Sequence, residues 1–316
     1  MKLLKDFKEI KGDASFRKFY RNTKKNSIIV FANKEKNKNL LIYDSINKIL
    51  IKNNIIAPQL LSQNYKKNYI EIQDLGKKTI YQIFSNYKKK QYPIFKKAIN
   101  VLNKIQLVKD KKIKNFKNEF YLIKDYKNKI LLDEANLFSY WYVPKKLDKK
   151  KINIFKTKFN REIKLLLSKL HFKNDTFVHR DFHVSNLIVN SKNQIGLIDN
   201  QDALIGNKAY DLASLIDDVR YETSNSLKEK VYNYYLMTNK KIDADKFKND
   251  YDILSVLRNL KIIGIFMRLA ERDKKRKYLK LIPYAWKMID NRIGKNKDLV
   301  NLKLLLETNF PKFITK

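Results

Sequence analysis

The 316-residue sequence contains no cysteine, which excludes a disulfide framework, thiol catalysis and thiolate metal sites. Glycine and proline are scarce, at six and five, and no Pro/Gly-rich linker, internal repeat or long low-complexity segment interrupts the chain. Long hydrophobic runs are missing too. Nothing approaches the ~18 apolar residues of a membrane span, and Met1 to Asp13 alternates charge with apolar residues where a signal peptide needs a continuous apolar core. These absences predict a soluble, cytoplasmic protein with no membrane partner. Acidic residues are also few, 32 against 69 Lys and Arg, for a formal net charge of +37. So basic a chain ordinarily points to nucleic acid or an anionic surface. Here the lysines are spread over every segment amid abundant Asn and Ile and form no single stripe, the pattern of codon drift in an AT-rich genome. No dedicated nucleic-acid partner is expected.

What is present starts with bulk: 44% hydrophobic residues are ample for a buried core in one large or two modest domains. The chain is organised around Phe177-Val178-His179-Arg180-Asp181-Phe182-His183-Val184-Ser185-Asn186, followed by two short apolar runs, Leu187-Ile188-Val189 and Ile195-Gly196-Leu197-Ile198. The polar cluster Asn190 to Gln194 between those runs predicts a hairpin. Asn186 enters its first strand and Asp199 leaves its second, so antiparallel pairing puts both oxygen-bearing side chains at one end. Magnesium takes a few hard oxygens and fills its octahedron with water and phosphates, so one Asn and one Asp suffice as protein ligands. Asp181, in the preceding loop, is placed to orient or accept the proton of an attacking hydroxyl. This is the Asp-x-x-x-x-Asn plus later Asp that phosphoryl transfer asks of a catalytic loop. Taken singly, each of these residues is more often a turn or a cap; their joint occurrence with His179 and apolar flanks carries the reading. His179 itself is expected to pack beneath the loop. Between Asp175 and Glu222 there are eight acids and four bases, an acidic island that suits a cation site.

At these residues the sequence resembles the aminoglycoside phosphotransferase/choline kinase superfamily. The run Gln201-Asp202-Ala203, Gly206 and Tyr210-Asp211-Leu212-Ala213-Ser214-Leu215 is similar to the bacterial anomeric kinases of N-acetylmuramate and N-acetylglucosamine. Gly12 to Arg17, Leu137 to Tyr142 and Arg258 to Phe266 point the same way, so the resemblance covers nearly the whole chain. It implies a protein-kinase-like, two-lobed α+β fold: a small β-rich lobe over 1–76 ending at a hinge, and a larger, mainly helical lobe over 77–316 with the catalytic loop. It implies ATP and Mg2+ as cofactors and a small-molecule sugar as acceptor, phosphorylated at its anomeric hydroxyl in cell-wall recycling. Asp181 would then be catalytic and Asn186 and Asp199 the metal ligands. Ser15, Arg17, Glu71 and Gln73 would bind the nucleotide, and Asp202, Glu134 and Trp141 the sugar. Two departures stand out, Asn200 where an apolar Phe is expected and Ser139-Tyr140 where a more acidic pair is expected. Rival readings are another acceptor (choline, homoserine or an aminoglycoside) and a non-catalytic, basic nucleic-acid-binding protein on the same fold. The intact Asp181, Asn186 and Asp199 speak against the last.

In chain order, Gly12 to Ser15 reads as a turn between strands, and Phe16, Phe19 and Tyr20 as part of a hairpin. Ile28 to Ala32 is a strand without the lysine that protein kinases place there. Arg17, Lys18 and Arg21 are the candidates to neutralise the nucleotide instead. Ile42, Ile46, Ile49 and Leu50 predict one helical face, and Tyr69 to Gln73 a strand leading to the hinge Asp74-Leu75-Gly76. From Thr79 the pattern is helical, with faces at Ile94 to Ile105, at Phe120, Ile123, Ile130 and Leu131, and over Ile152 to Leu170. Asp211 opens a further helix as a cap or brace, and Ser226 to Lys316 is helical, with its clearest stripe from Leu254 to Leu269.

Overall fold

The computed structural model describes residues 6–10, 17–32, 38–86 and 91–314. The chain folds as two compact units, Met1–Lys124 with His179–Leu204, and Asp125–Val178 with Ile205–Lys316. It therefore leaves the sheet-bearing unit after Lys124 and returns to it at His179. The predicted turn Gly12 to Ser15, and with it Ser15 itself, lies outside the described residues.

The first unit carries an antiparallel sheet in the order β1 (Phe7–Ile10), β2 (Arg17–Asn22), β3 (Ser27–Ala32), β5 (Tyr69–Gln73), β4 (Leu60–Asn64). The alternation in β5 works as read. Ile70 and Ile72 are buried, Ile70 sits opposite Val30, and Tyr69, Glu71 and Gln73 are only partly covered. Helix α1 (Asn39–Lys52) adds Leu40 and Tyr43 to the cluster of Val30, Ala32, Ile70 and Ile72. Each such fully buried aliphatic side chain contributes about 1.5–3 kcal/mol. The face of α1 is wider than its apolar spacing predicts, because Tyr43, Asp44, Ser45 and Asn47 are buried along with Ile46, Ile49 and Leu50. The hairpin of the organising stretch forms between Leu187–Val189 and Ile195–Leu197, with Leu187 opposite Leu197. One expectation fails here. Phe120 to Leu122 is a strand paired with Lys112–Lys114, not the start of a helix, and Phe120 and Leu122 face solvent at 63% and 59% exposure. Apolar residues on a short two-stranded ribbon mimic a helical face when only their spacing is read.

The second unit is helical. Its longest helix, Ala244–Glu271, is buried on nearly all sides over Tyr251 to Leu260 and is more than a one-sided stripe. Gly264 marks where it meets a neighbour: a Cβ there would lie 2.3 Å from the backbone carbonyl carbon of Leu137. Only glycine permits that approach. Beside it, helix Asn128–Leu137 runs into a π-helical turn, Phe138–Tyr142. Phe138 and Tyr142 pack with Phe155, Phe159, Trp286 and Phe310, and the Trp286 indole N–H donates to the Tyr142 hydroxyl at 3.2 Å. Helix Lys149–Ser168 buries Phe155, Phe159, Ile163 and Leu166 as its periodicity predicts. No described helix is long and apolar enough to cross a membrane.

Candidate active site

The hairpin register brings two oxygen donors to one end. The Ile198 N–H donates to Asn186 O at 3.1 Å, continuing the ladder beyond Leu187 and Leu197 and leaving Asp199 as the next residue out. The Asn186 amide is oriented by its own loop, since its Nδ2 donates to Asp181 O at 3.1 Å. Its Oδ1 is thus the end left to face a cation. Asp199 takes φ +63° and Arg180 φ +72°, left-handed conformations that cost a non-glycine residue about 1–3 kcal/mol and gather at functional sites. Asp181, half-buried, has its backbone held from both sides. Its N–H donates to His179 Nδ1 at 3.2 Å, and its carbonyl also accepts from the His183 N–H at 3.0 Å. The three residues that the sequence proposed for phosphoryl transfer therefore lie in one loop-and-hairpin assembly. Among the described residues no three His, Asp or Glu side chains gather into a metal cluster. An Asn whose amide nitrogen is already committed and an Asp whose side chain is 38% exposed fit magnesium, which keeps most of its shell for water and phosphate.

Arg17 reaches this assembly from β2. Its guanidinium is almost fully buried, donating to Asp199 Oδ1 at 2.7 Å and to Gln201 Oε1 at 2.8 Å. It also lies 5.7 Å from the centre of the Tyr43 ring. Burial, partly offset by the Arg17 charge, pushes the Tyr43 phenol up to about 12, so this ring stays neutral beside the ion pair. Of the three basic candidates, Arg17 is the one the structure brings to Asp199. Arg21 braces the segment Asp74–Gly76, bonding to both carboxylate oxygens of Asp74 and donating to Gly76 O at 3.0 Å, while Gly76 N–H donates to Asp74 Oδ1 at 2.9 Å. Beside that segment, Lys8, Ile10, Arg21, Asn26, Asp74 and Lys77 contribute to a cavity of about 540 Å³.

The other candidates fall as follows. Glu71 accepts from Ser27 Oγ at 2.6 Å and Ser62 Oγ at 3.0 Å across the sheet. The Gln73 N–H is bonded to Gln59 O at 2.8 Å. Asp202 is exposed; its Oδ2 accepts from Gln201 Nε2 at 2.8 Å and its carbonyl from Arg180 Nη1 at 3.0 Å. In the second unit, Glu134 pairs with Lys261 Nζ at 3.0 Å and accepts from the Tyr126 hydroxyl. Trp141 is half-buried in the π-helical turn. The acidic island does not converge on one cation. Asp217 is 1% exposed and bonded to Lys228 Nζ and Arg292 Nε, both at 2.9 Å, cations from outside the counted segment. Gln201, Tyr43 and Asn47 escaped the sequence reading. Gln201 stood in the motif without a role, and the other two sat on a helix judged by its apolar spacing alone.

Comparison with known proteins places these features. A model described as the phosphotransferase enzyme family matches residues 6–246. The N-acetylmuramate/N-acetylglucosamine kinase of Pseudomonas putida is 26% identical over 302 residues, covering 93% of this chain and 86% of that one. Among solved structures, a choline/ethanolamine kinase family protein from Mesorhizobium loti aligns with TM-score 0.64 at 10% identity, covering 96% of this chain and 92% of that one. Spectinomycin phosphotransferase in complex with ADP and spectinomycin aligns with TM-score 0.57 at 17% identity, covering 94% and 92%. Such structural likeness speaks for the fold, and that fold is the kinase-like, two-lobed α+β class read from the sequence.

Proposed function

This chain belongs to the phosphotransferase enzyme family, and from that premise we propose that it is an ATP-dependent kinase of an amino sugar, N-acetylmuramate or N-acetylglucosamine, acting at the anomeric hydroxyl. The observation that carries the reading is the grouping of Asp181, Asn186 and Asp199 on one loop and one hairpin end, with Arg17 on Asp199. The activity named for the Pseudomonas putida relative supports the choice of acceptor. A role in cell-wall sugar recycling follows from that acceptor.

Asp181 accepts the proton of the sugar hydroxyl as its oxygen forms a bond to the γ-phosphorus. The bond from that phosphorus to the bridging oxygen breaks, and ADP leaves with the electron pair. Because an anomeric hydroxyl is more acidic than an ordinary alcohol, the carboxylate need take its proton only late in the transfer. Asn186 and Asp199 would hold magnesium, which supplies charge neutralisation at the phosphates when bound. Arg17, already charge-paired at this end of the hairpin, is assigned to the nucleotide phosphates together with Ser15. Glu71 and Gln73, on the strand Tyr69–Gln73, are likewise assigned to the nucleotide. Asp202, Glu134 and Trp141 are assigned to the sugar. On this reading residues 1–76 cover the nucleotide and 77–316 carry the acceptor and the chemistry.

The test is magnesium-dependent ATP consumption against N-acetylmuramate, N-acetylglucosamine, choline and an aminoglycoside. Turnover on the amino sugars that disappears with Asp199→Ala is the expected result. Turnover confined to a cationic acceptor moves the substrate. ATP binding with no turnover on any acceptor overturns the enzyme reading, and salt-dependent RNA binding without turnover favours the nucleic-acid alternative.

A further inference from the structure

His179, Asn200 and Asn47 are buried polar side chains at 0%, 0% and 3% exposure, and they are joined to one another. The orientation of each is fixed by a backbone carbonyl, which can only accept. Asn47 Nδ2 donates to Pro58 O at 3.0 Å, so its Oδ1 is the end that faces Asn200. Asn200 Nδ2 donates to that Oδ1 at 2.8 Å and to Leu197 O at 3.2 Å, so its own Oδ1 is the end that faces His179. The His179 Nε2 then lies between two acceptors, Asn200 Oδ1 at 2.8 Å and Ile198 O at 3.2 Å, and must carry the ring proton. This leaves Nδ1 unprotonated, and it accepts from the Asp181 backbone N–H at 3.2 Å.

Four hydrogen bonds thus run head to tail in one direction: Asp181 N–H to His179, His179 to Asn200, Asn200 to Asn47, and Asn47 to Pro58 O. Bonds in such a chain polarise and strengthen one another in a low-dielectric interior. The chain also joins the two strained residues of the site. His179 precedes Arg180 at φ +72°, and Asn200 follows Asp199 at φ +63°. Strained conformations persist only where their surroundings over-determine them.

We propose that Asn200 and Asn47 are positioning residues: a buried relay that holds the Asp181 loop and the Asp199 turn in mutual register and ties both to helix α1. The relay acts through His179 and touches neither nucleotide nor acceptor. Its part in catalysis rests on the kinase reading above, but its geometry does not.

The test is a double-mutant cycle of Asn200→Leu and Asn47→Leu, read by kcat, by nucleotide Kd and by 15N spectra of the imidazoles, of which the chain has only three. Asn200→Leu should lower kcat about 10- to 100-fold, the effect of a sub-ångström to ångström misplacement, with nucleotide Kd within about threefold. Asn47→Leu should do less, and the double variant should be no worse than Asn200→Leu alone, since Asn47 reaches His179 only through Asn200. The His179 signal should report Nε2–H in the wild type and a mixed tautomer in Asn200→Leu. A kcat within about twofold of wild type in folded Asn200→Leu, or multiplicative losses in the double variant, overturns the proposal. Should the wild type phosphorylate none of the acceptors, the kinase reading falls by itself. The spectra still decide the relay, because Asn47→Leu must then shift both the His179 ring and Asp181 amide signals, and an unchanged pair overturns it.

Discussion

Two polar clusters of this protein each set buried cations on a carboxylate, and they differ in closure. In the first unit, Arg17 is bonded to Asp199, whose side chain is 38% exposed, and the carboxylate keeps a face toward solvent. In the second, Asp217 is bonded by Lys228, Arg292 and Ser255, and its side chain is 1% exposed. Burial alone would raise the Asp217 carboxyl, but the charges of Lys228 and Arg292, with hydrogen bonds from Arg292 and Ser255, hold it well below the usual carboxylate range. Lys228, Arg292 and Ser255 all turn donors onto that one carboxylate. The Arg17–Asp199 pair thus keeps a carboxylate open toward solvent, as the proposed metal role requires, whereas Asp217 is closed by its partners and braces the second unit.

Opposite outcomes on substitution make the contrast testable. Asp199→Ala should lower kcat/KM by on the order of 10³, since it removes charge stabilisation at the transferring group, and should cost less stability than the substitution at Asp217, because the Arg17 guanidinium keeps its bond to Gln201. Asp217→Ala should do the reverse. It strands Lys228 and Arg292 without their shared anion and should cost about 3–5 kcal/mol of stability, while the molecules that stay folded keep their turnover. The acid limb sharpens the point. A depressed carboxyl contributes stability above its unfolded value that is lost as pH falls toward the folded one. Wild-type stability should therefore decline as pH drops below the usual 3.8, and Asp217→Asn should flatten that limb. Equal losses of activity and stability in both substitutions would erase the distinction.

Next in size is Gly264→Ala. Its Cβ would meet the Leu137 carbonyl carbon and oxygen and the Phe138 nitrogen at 2.3–2.5 Å, all backbone atoms that cannot swing aside. The helix must shift, at a cost of about 1–3 kcal/mol or more. Thermal unfolding checks it, and a variant as stable as wild type would mean that the π-helical turn yields more easily than a packed core does.

The open cluster was legible in the sequence to the extent that its members are local. Asn186 and Asp199 lie thirteen positions apart, and a hairpin with one polar turn is enough to bring them together. Its remaining parts come from far along the chain. Arg17 meets Asp199 across 182 residues and Asn47 meets Asn200 across 153, and a lone buried polar residue leaves no period to detect. Apolar spacing gave α1 its place but hid the Tyr43 and Asn47 face, because a polar residue scores as solvent-facing until its partner is known. For the same reason Asp217 read as part of an acidic island. Its partners Lys228 and Arg292 are 11 and 75 residues downstream. The Asn200 departure from an expected Phe likewise becomes intelligible only with His179 and Asn47 on either side of it.

The smallest effect is expected at Asp44, which tests closure from the other side. Its side chain is 1% exposed and meets Lys48 Nζ at 2.8 Å, a single cation that is itself 37% exposed. Burial raises the Asp44 carboxyl by more than the Lys48 hydrogen bond and charge lower it, the reverse of Asp217. A raised carboxyl contributes stability that is full below the unfolded value and is lost as pH rises through the folded one, so near neutral pH the charge is a net cost. Asp44→Asn keeps the shape and drops the charge. It should unfold at a urea concentration at least as high as wild type near pH 7, have lost that advantage by the time pH has fallen to the usual 3.8, and leave kcat unchanged. A loss near pH 7 comparable with that of the Asp217 substitution would show that one half-exposed lysine closes a buried carboxylate as well as two buried cations do, and the number of inward-facing partners would then cease to separate the two kinds of cluster.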